Sequence, residues 1–166
     1  MRRFLDGKNL EGEGNISFEE SGDGATVTIR LNVRISNFIA IADNGAIPLS
    51  PLLVGPIGFD TLRALYKRPS RSLPYWCPAW TLDDQYEIRI PKNMKLILPK
   101  GRSIKEAEFS YSSHYGINDN KVTAVRRLSI DRPTLVCQPS EYAAGKAAIL
   151  RIERDLRAQI IYQATE

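Results

Sequence analysis

Between Thr26 and Ile35 the chain alternates without a break. Polar Thr26, Thr28, Arg30, Asn32 and Arg34 take turns with apolar Val27, Ile29, Leu31, Val33 and Ile35. A period of two places every apolar side chain on one face, so the stretch predicts a strand with one buried face. Ile16 and Phe18 upstream mark its partner. The intervening Ser21-Gly22-Asp23-Gly24 has the residue types of a hairpin turn. Residues 1–14 are polar and carry glycines, and read as an arm or linker ahead of one domain over residues 15–166.

The pattern changes over residues 43–74. Asp43-Asn44-Gly45 reads as a turn, and Pro48, Pro51, Pro56, Pro69 and Pro74 interrupt the backbone. Proline has no amide to give to a ladder, so long central strands are not expected here. Phe59 to Tyr66 reads as a short helix, in a segment that wraps over a sheet. Alternation returns at Tyr86, Ile88 and Ile90, and again over Met94–Leu98. A third row is Ala107, Phe109 and Tyr111. Past a turn at residues 116–120, a fourth is Val122, Ala124, Leu128 and Ile130. Four short strands joined by turns predict an antiparallel meander.

Tyr142, Ile149, Ile152 and Leu156 then fall at helical spacing, with Lys146, Arg151, Glu153, Arg154 and Asp155 assigned to the opposite side. The helix is expected over about residues 139–158, entered through Pro139 with Ser140 as N-cap. Ile160-Ile161-Tyr162 either extends it or forms a final edge strand. The fold class expected is mainly β within α+β: an antiparallel sandwich or curved sheet with one amphipathic C-terminal helix packed on it.

Composition narrows the function classes. The 166 residues are 43% hydrophobic and 25% charged, enough for a real core. A net charge of +4 is mild, and nucleic-acid binders concentrate charge more strongly. No apolar run is long enough to cross a membrane, so no direct insertion is expected. Met1 to Lys8 has two arginines but no hydrophobic region behind them, which does not make a secretory signal. That start reads as mid-protein sequence, so the chain is either cytoplasmic or a piece of a longer protein.

From about residue 71 onward a set of short motifs recurs in a family pattern: Arg71-Ser72-Leu73-Pro74-Tyr75, then Tyr86-Glu87-Ile88-Arg89-Ile90-Pro91, then Phe109-Ser110-Tyr111 with the turn at Gly116. Arg126-Arg127-Leu128-Ser129-Ile130 and Pro139-Ser140-Glu141-Tyr142 complete it. The set resembles the C-terminal β domain, of unknown function, in bacterial transglutaminase-like multidomain proteins. The resemblance implies an accessory domain, with catalysis in a separate Cys/His/Asp domain upstream. It also implies a periplasmic or envelope-associated parent. The partner it implies is that catalytic domain.

Candidate chemistry within the chain is sparse. Tyr75, Trp76 and Trp80 form an aromatic group between prolines. Exposed, such rings bind an envelope glycan or a partner protein; buried, they plug a sheet edge. Lys92, Lys95, Lys100, Arg102 and Lys105 suit either an anion or the blunting of an edge strand. No aromatic residues interleave with them for stacking, and nucleic acid is not expected as a partner.

A thiol enzyme would have to pair Cys77 or Cys137 with His114, the single histidine. The two cysteines are otherwise small buried hydrophobes or one disulfide. Arg126 interrupts an apolar row. It either points inward and needs a carboxylate or carbonyls, or a bulge exchanges it with Val125. No cofactor or metal cluster is read, and no catalytic residue is assigned.

Overall fold

The computed structural model describes residues 5–6, 9–36, 38, 43–49 and 59–165. Pro51 and Pro56 lie outside them, as do residues 1–4 and 7–8 at the start of the chain. Two compact units are formed, Met1–Ala42 and Asp43–Glu166.

The first unit is the expected hairpin, but the face read as buried is only partly covered: no residue of either strand is buried, and Ile16, Phe18 and Val27 are exposed. β1 (Glu11–Glu20) pairs antiparallel with β2 (Val27–Ser36), from Glu11 opposite Ser36 to Glu20 opposite Val27. The ladder therefore starts inside the stretch read as an arm. Pairs Ile16–Leu31 and Phe18–Ile29 lie on one face, while Arg30–Glu19 (3.2 Å) and Arg34–Glu13 (3.9 Å) lie on the other. The turn is held locally: the Asp23 carboxylate accepts the Ser21 hydroxyl at 2.5 Å and the Ala25 amide at 3.0 Å.

The second unit is built from two antiparallel sheets, a short ribbon and two helices. Its elements are β3 (Asn44–Pro48), α1 (Phe59–Leu65), β4 (Tyr75–Trp76), β5 (Trp80–Arg89), β6 (Met94–Ile97) and β7 (Arg102–Glu106). β8 (Phe109–Asn118), β9 (Lys121–Ile130), β10 (Val136–Cys137), α2 (Tyr142–Leu156) and β11 (Gln159–Ala164) follow. The larger sheet runs β5-β9-β8-β7, the smaller β3-β11-β6, and β10 pairs with β4. This is the mainly antiparallel architecture with a C-terminal helix that the alternation implied.

Several boundaries differ from the sequence reading. Asn44 and Gly45 lie in a strand, paired with Gln163 and Tyr162. Ala107 is no strand residue but the first loop position of the two-residue β7–β8 hairpin, with φ of 49°. That positive φ is what a type II′ turn demands there. The strand at Met94 leaves the meander and joins β11. β11 itself is the central strand of its sheet, not an edge. Ile160 and Tyr162 are buried on it, because neighbours on both sides supply the ladder.

α2 packs on β7 and β8. Tyr142, Ala148, Ile149, Ile152 and Leu156 join Phe109, Tyr111, Ile104 and Leu128 of the sheet in one core. The helix is entered through a 3-10 turn, Pro139–Glu141, whose cap is Gln138 rather than Ser140. The Glu141 carboxylate accepts the Gln138 amide at 2.5 Å and Arg132 Nη1 at 3.1 Å, and these contacts hold its carboxyl below the usual range. Gly145 lets α1 and α2 approach closely: a Cβ there would sit 2.6 Å from the Tyr66 ring.

Candidate functional site

The meander register puts a polar row into an apolar face. Asp84 of β5 lies opposite Arg126 of β9, Arg126 opposite Ser113 of β8, and Ser113 opposite Arg102 of β7. The pairing around Arg126 is continuous, so no bulge rotates it outward. Arg126 is 2% exposed and Val125 43%.

The guanidinium finds partners across the core. Arg126 Nε donates to the Tyr115 hydroxyl at 3.2 Å, and Nη1 donates to the Leu49 carbonyl. Tyr115 in turn donates to Asp155 Oδ2 at 3.0 Å, and Tyr111 donates to the same oxygen at 2.6 Å. Arg102 Nε stands 3.6 Å from the other oxygen. Asp155 is thus 2% exposed on the inward side of α2, contrary to its assignment to the solvent face. Two phenols and the Arg102 guanidinium satisfy a carboxylate that could not otherwise be buried. Burial, and then the bond to Asp155, push the Tyr111 phenol well above its usual range, so it stays a donor.

Asp84 is the weak member of this row. It and Arg126 border a void of about 10 Å³ with Leu82, Leu128 and Tyr111, roomy enough for about one water. Arg126 Nη2 has no partner among the described residues. Burial pushes the Asp84 carboxyl up from 3.8 to about 6, although Arg126 opposes the shift. The folded chain therefore holds this proton more tightly than the unfolded chain. The associated stability is fully present below pH 3.8 and is lost as pH rises through about 6. At pH 7 the ionised group then costs roughly 3 kcal/mol. Asp84→Asn should be about 1–3 kcal/mol more stable than the native chain at pH 7 in urea, with a flattened pH 4–6 profile. A variant weaker than the native chain at pH 7 would mean that the Arg126 pair outweighs burial.

Tyr111, Tyr115, Arg102 and Asp155 answer one another within the core. The thiol constellation is not assembled. Cys77 and Cys137 are joined in a disulfide, with Cα atoms 5.8 Å apart, and both are buried. They are not the separate small hydrophobes of the plainer reading, and neither sulfur is a free nucleophile. His114 lies on the outer, exposed face of β8, across the sheet from that core.

The five basic residues also separate. Lys95 lies on β6, an edge of the smaller sheet, and Lys105 on β7, an edge of the larger one. Arg102 reaches inward to Asp155. Between α1 and α2 runs an open groove of about 620 Å³. Its charges are largely answered: Arg63 reaches Asp60 (3.3 Å) and Glu153 (3.2 Å), and Lys146 donates to the Arg68 carbonyl (2.7 Å).

The aromatic group divides by strand alternation. Tyr75 points inward and meets Tyr66 and Tyr142 edge-on at 6.3 and 5.6 Å, with the Arg71 guanidinium over its ring at 5.3 Å. Trp80 lies half-buried on the inner face of β5, against the same core. Trp76 points outward, 52% exposed, directly opposite Val136 of β10, 56% exposed. Leu73 and Leu135 are exposed close by along the chain.

The result is an apolar surface on a short ribbon, with the disulfide on its buried side. Val136, Leu135 and Leu73 escaped the sequence reading. A signal was present: residues 72–82 and 133–140 carry no charged side chain in a chain that is 25% charged. That the two stretches meet is a tertiary fact. Large exposed apolar groups held together mark interaction surfaces more often than scattered ones do.

A family model described as "Domain of Unknown Function with solved-structure structure (DUF3858)" matches residues 50–162. The chain belongs to this family. No curated protein and no solved structure matches it. The DUF3858 match takes in both the polar row and the Trp76–Val136 ribbon, and leaves the β1–β2 hairpin outside.

Proposed function

We propose that this chain is a non-catalytic accessory domain of a transglutaminase-like protein. It braces that protein's catalytic domain, or helps present a substrate to it, through the Trp76–Val136 ribbon. The observation that carries the reading is the exposed, uncharged set Leu73, Trp76, Leu135 and Val136. Interface centres are depleted of charge and enriched in tryptophan, and a charge buried against such a patch would go unanswered. The fitting partner is an equally uncharged face of a folded domain. The motifs from Arg71 to Tyr142 support the transglutaminase-like parent. A disulfide supports an oxidising compartment for it, such as the periplasm or envelope. Among the described residues no helix is long and apolar enough to cross a membrane.

The reading predicts that the coding sequence upstream of Met1 encodes a Cys/His/Asp catalytic domain. Trp76→Ala should weaken calorimetric binding to that domain by about 30-fold, as a hot-spot residue worth about 2 kcal/mol. Its melting temperature should stay unchanged, because the ring packs outward. Equal binding by Trp76→Ala and the native chain would sink the ribbon as the contact. The half-exposed indole also suits stacking on a sugar ring. A shift of Trp76 fluorescence on titration with cell-wall fragments would favour that second reading, an envelope-glycan module.

A further inference from the structure

We infer that the Cys77–Cys137 disulfide, rather than the β4–β10 ladder, holds the Trp76–Val136 surface together, so that this surface exists only in the oxidised chain. The inference rests on the interaction reading for its use, but not for its test.

The ladder alone is slight. It has two residue pairs, Val136 with Trp76 and Cys137 with Tyr75, extended by one bond from the Cys77 amide to the Leu135 carbonyl at 3.0 Å. Among the described residues neither strand pairs with any other. Pro74 and Pro78 flank β4, while Pro133 and Pro139 flank β10. Having no amides, they cannot lengthen the ladder. The segments it joins are separated by 60 positions, with β5 to β9 between them. The β5–β9 ladder, whose last pair is Trp80 with Ile130, already brings the two segments near, so the ribbon adds only these few bonds past its end, and a two-stranded ladder of this length is marginal without a covalent tie.

Placement gives the bond its specific effect. Tyr75 and Cys137 face the core, and Trp76 and Val136 face out. The sulfurs therefore sit directly behind the exposed pair. Cα atoms 5.8 Å apart suit the bond without backbone movement. The start of α2 is anchored separately, by Arg132 to Glu141 and by the Tyr142 hydroxyl to the Arg68 carbonyl at 2.8 Å. Opening the ribbon thus leaves the helix and the larger sheet in place. The Trp76 and Val136 side chains lose their fixed spacing, and with it the preorganisation that makes a small patch bind.

A phosphine reductant makes the test. Tris(2-carboxyethyl)phosphine gives two electrons to the S–S bond and leaves as its oxide with the oxygen of one water. The two hydrogens of that water end on the two sulfurs. Hydrogen exchange is followed by mass spectrometry on the oxidised chain, the phosphine-reduced chain and Cys77→Ala/Cys137→Ala. The expected result is exchange about 100-fold faster at residues 75–77 and 135–137, with the β8–β9 ladder protected as before.

Three results would overturn the inference. In one, the ribbon stays as protected in the reduced chain and the variant as in the oxidised chain, so packing alone holds it. In another, β8–β9 loses protection to the same degree, so the bond staples the whole domain. In the last, alkylation finds two free thiols in the chain before reduction. A ribbon that opens as expected in a chain with no affinity for its catalytic domain would sink the interaction reading alone.

Discussion

Asp155→Leu is expected to cost about 3–5 kcal/mol of unfolding free energy, among the largest effects of any single substitution in the chain. The carboxylate is the acceptor on which the core's polar row converges. Without it the Tyr111 and Tyr115 hydroxyls lose their shared acceptor, and Arg102 loses its counter-ion. Arg126 remains buried with Tyr115 and the Leu49 carbonyl as partners. Each orphaned buried group carries its own desolvation cost, so the effect exceeds the worth of a single hydrogen bond. Asp155→Asn keeps an acceptor of the same shape and should lose about half as much. Urea unfolding with unchanged m values measures both. A loss below about 1 kcal/mol in Asp155→Leu would mean that water reaches the network and screens it.

Deletion of residues 139–166 is expected to abolish cooperative folding of the second unit. The truncation removes α2, which covers β7 and β8, and also β11, which joins β3 to β6. Tyr142, Ala148, Ile149, Ile152, Leu156, Ile160 and Tyr162 all leave the core with it. Large apolar side chains contribute about 1.5–3 kcal/mol each when fully buried, and the six lost here together match a usual domain stability of about 5–15 kcal/mol. The inner face of the larger sheet would then lose the cover of α2, keeping Phe59, Leu62 and Tyr66 of its core, and association through it should follow. Calorimetry of the truncated chain checks this. The disulfide survives the cut, so a cooperative transition would mean that the meander and its staple form a closed core by themselves.

The β2 strand, the strands holding Ile88, Tyr111 and Leu128, and the C-terminal helix were all legible. Each advertises a local period, and a half-buried surface enforces that period whatever packs against it. Arg126 shows the same logic on a polar residue. Its place in the alternation of β9 put it inside, and the unbroken register kept it there. Asp155 shows the limit. It stands three positions after Ile152, within the helical spacing of the buried face, yet its charge assigned it to solvent. Periodicity located the residue, and residue type misjudged it. A carboxylate can be buried when two phenols and a guanidinium group from other strands meet it.

For the candidate site, the aromatic residues were legible as a group, but their directions were not. Tyr75 and Trp76 are adjacent on one strand, so strand geometry must send them to opposite faces. Which face is solvent depends on β10, which arrives from the far side of the meander. The sequence by itself determined the long strands and the C-terminal helix, because those preferences act over a few residues, whereas Asn44, Gly45 and Ala107 took states that their local signals did not predict. The tertiary structure alone decided that β6 would leave the meander for β11, that β11 would lie between two strands, and that Cys77 would meet Cys137. These are pairings between distant segments. Their outcome is set by which arrangement buries the most apolar surface for the loops that must close, and no local pattern carries that comparison.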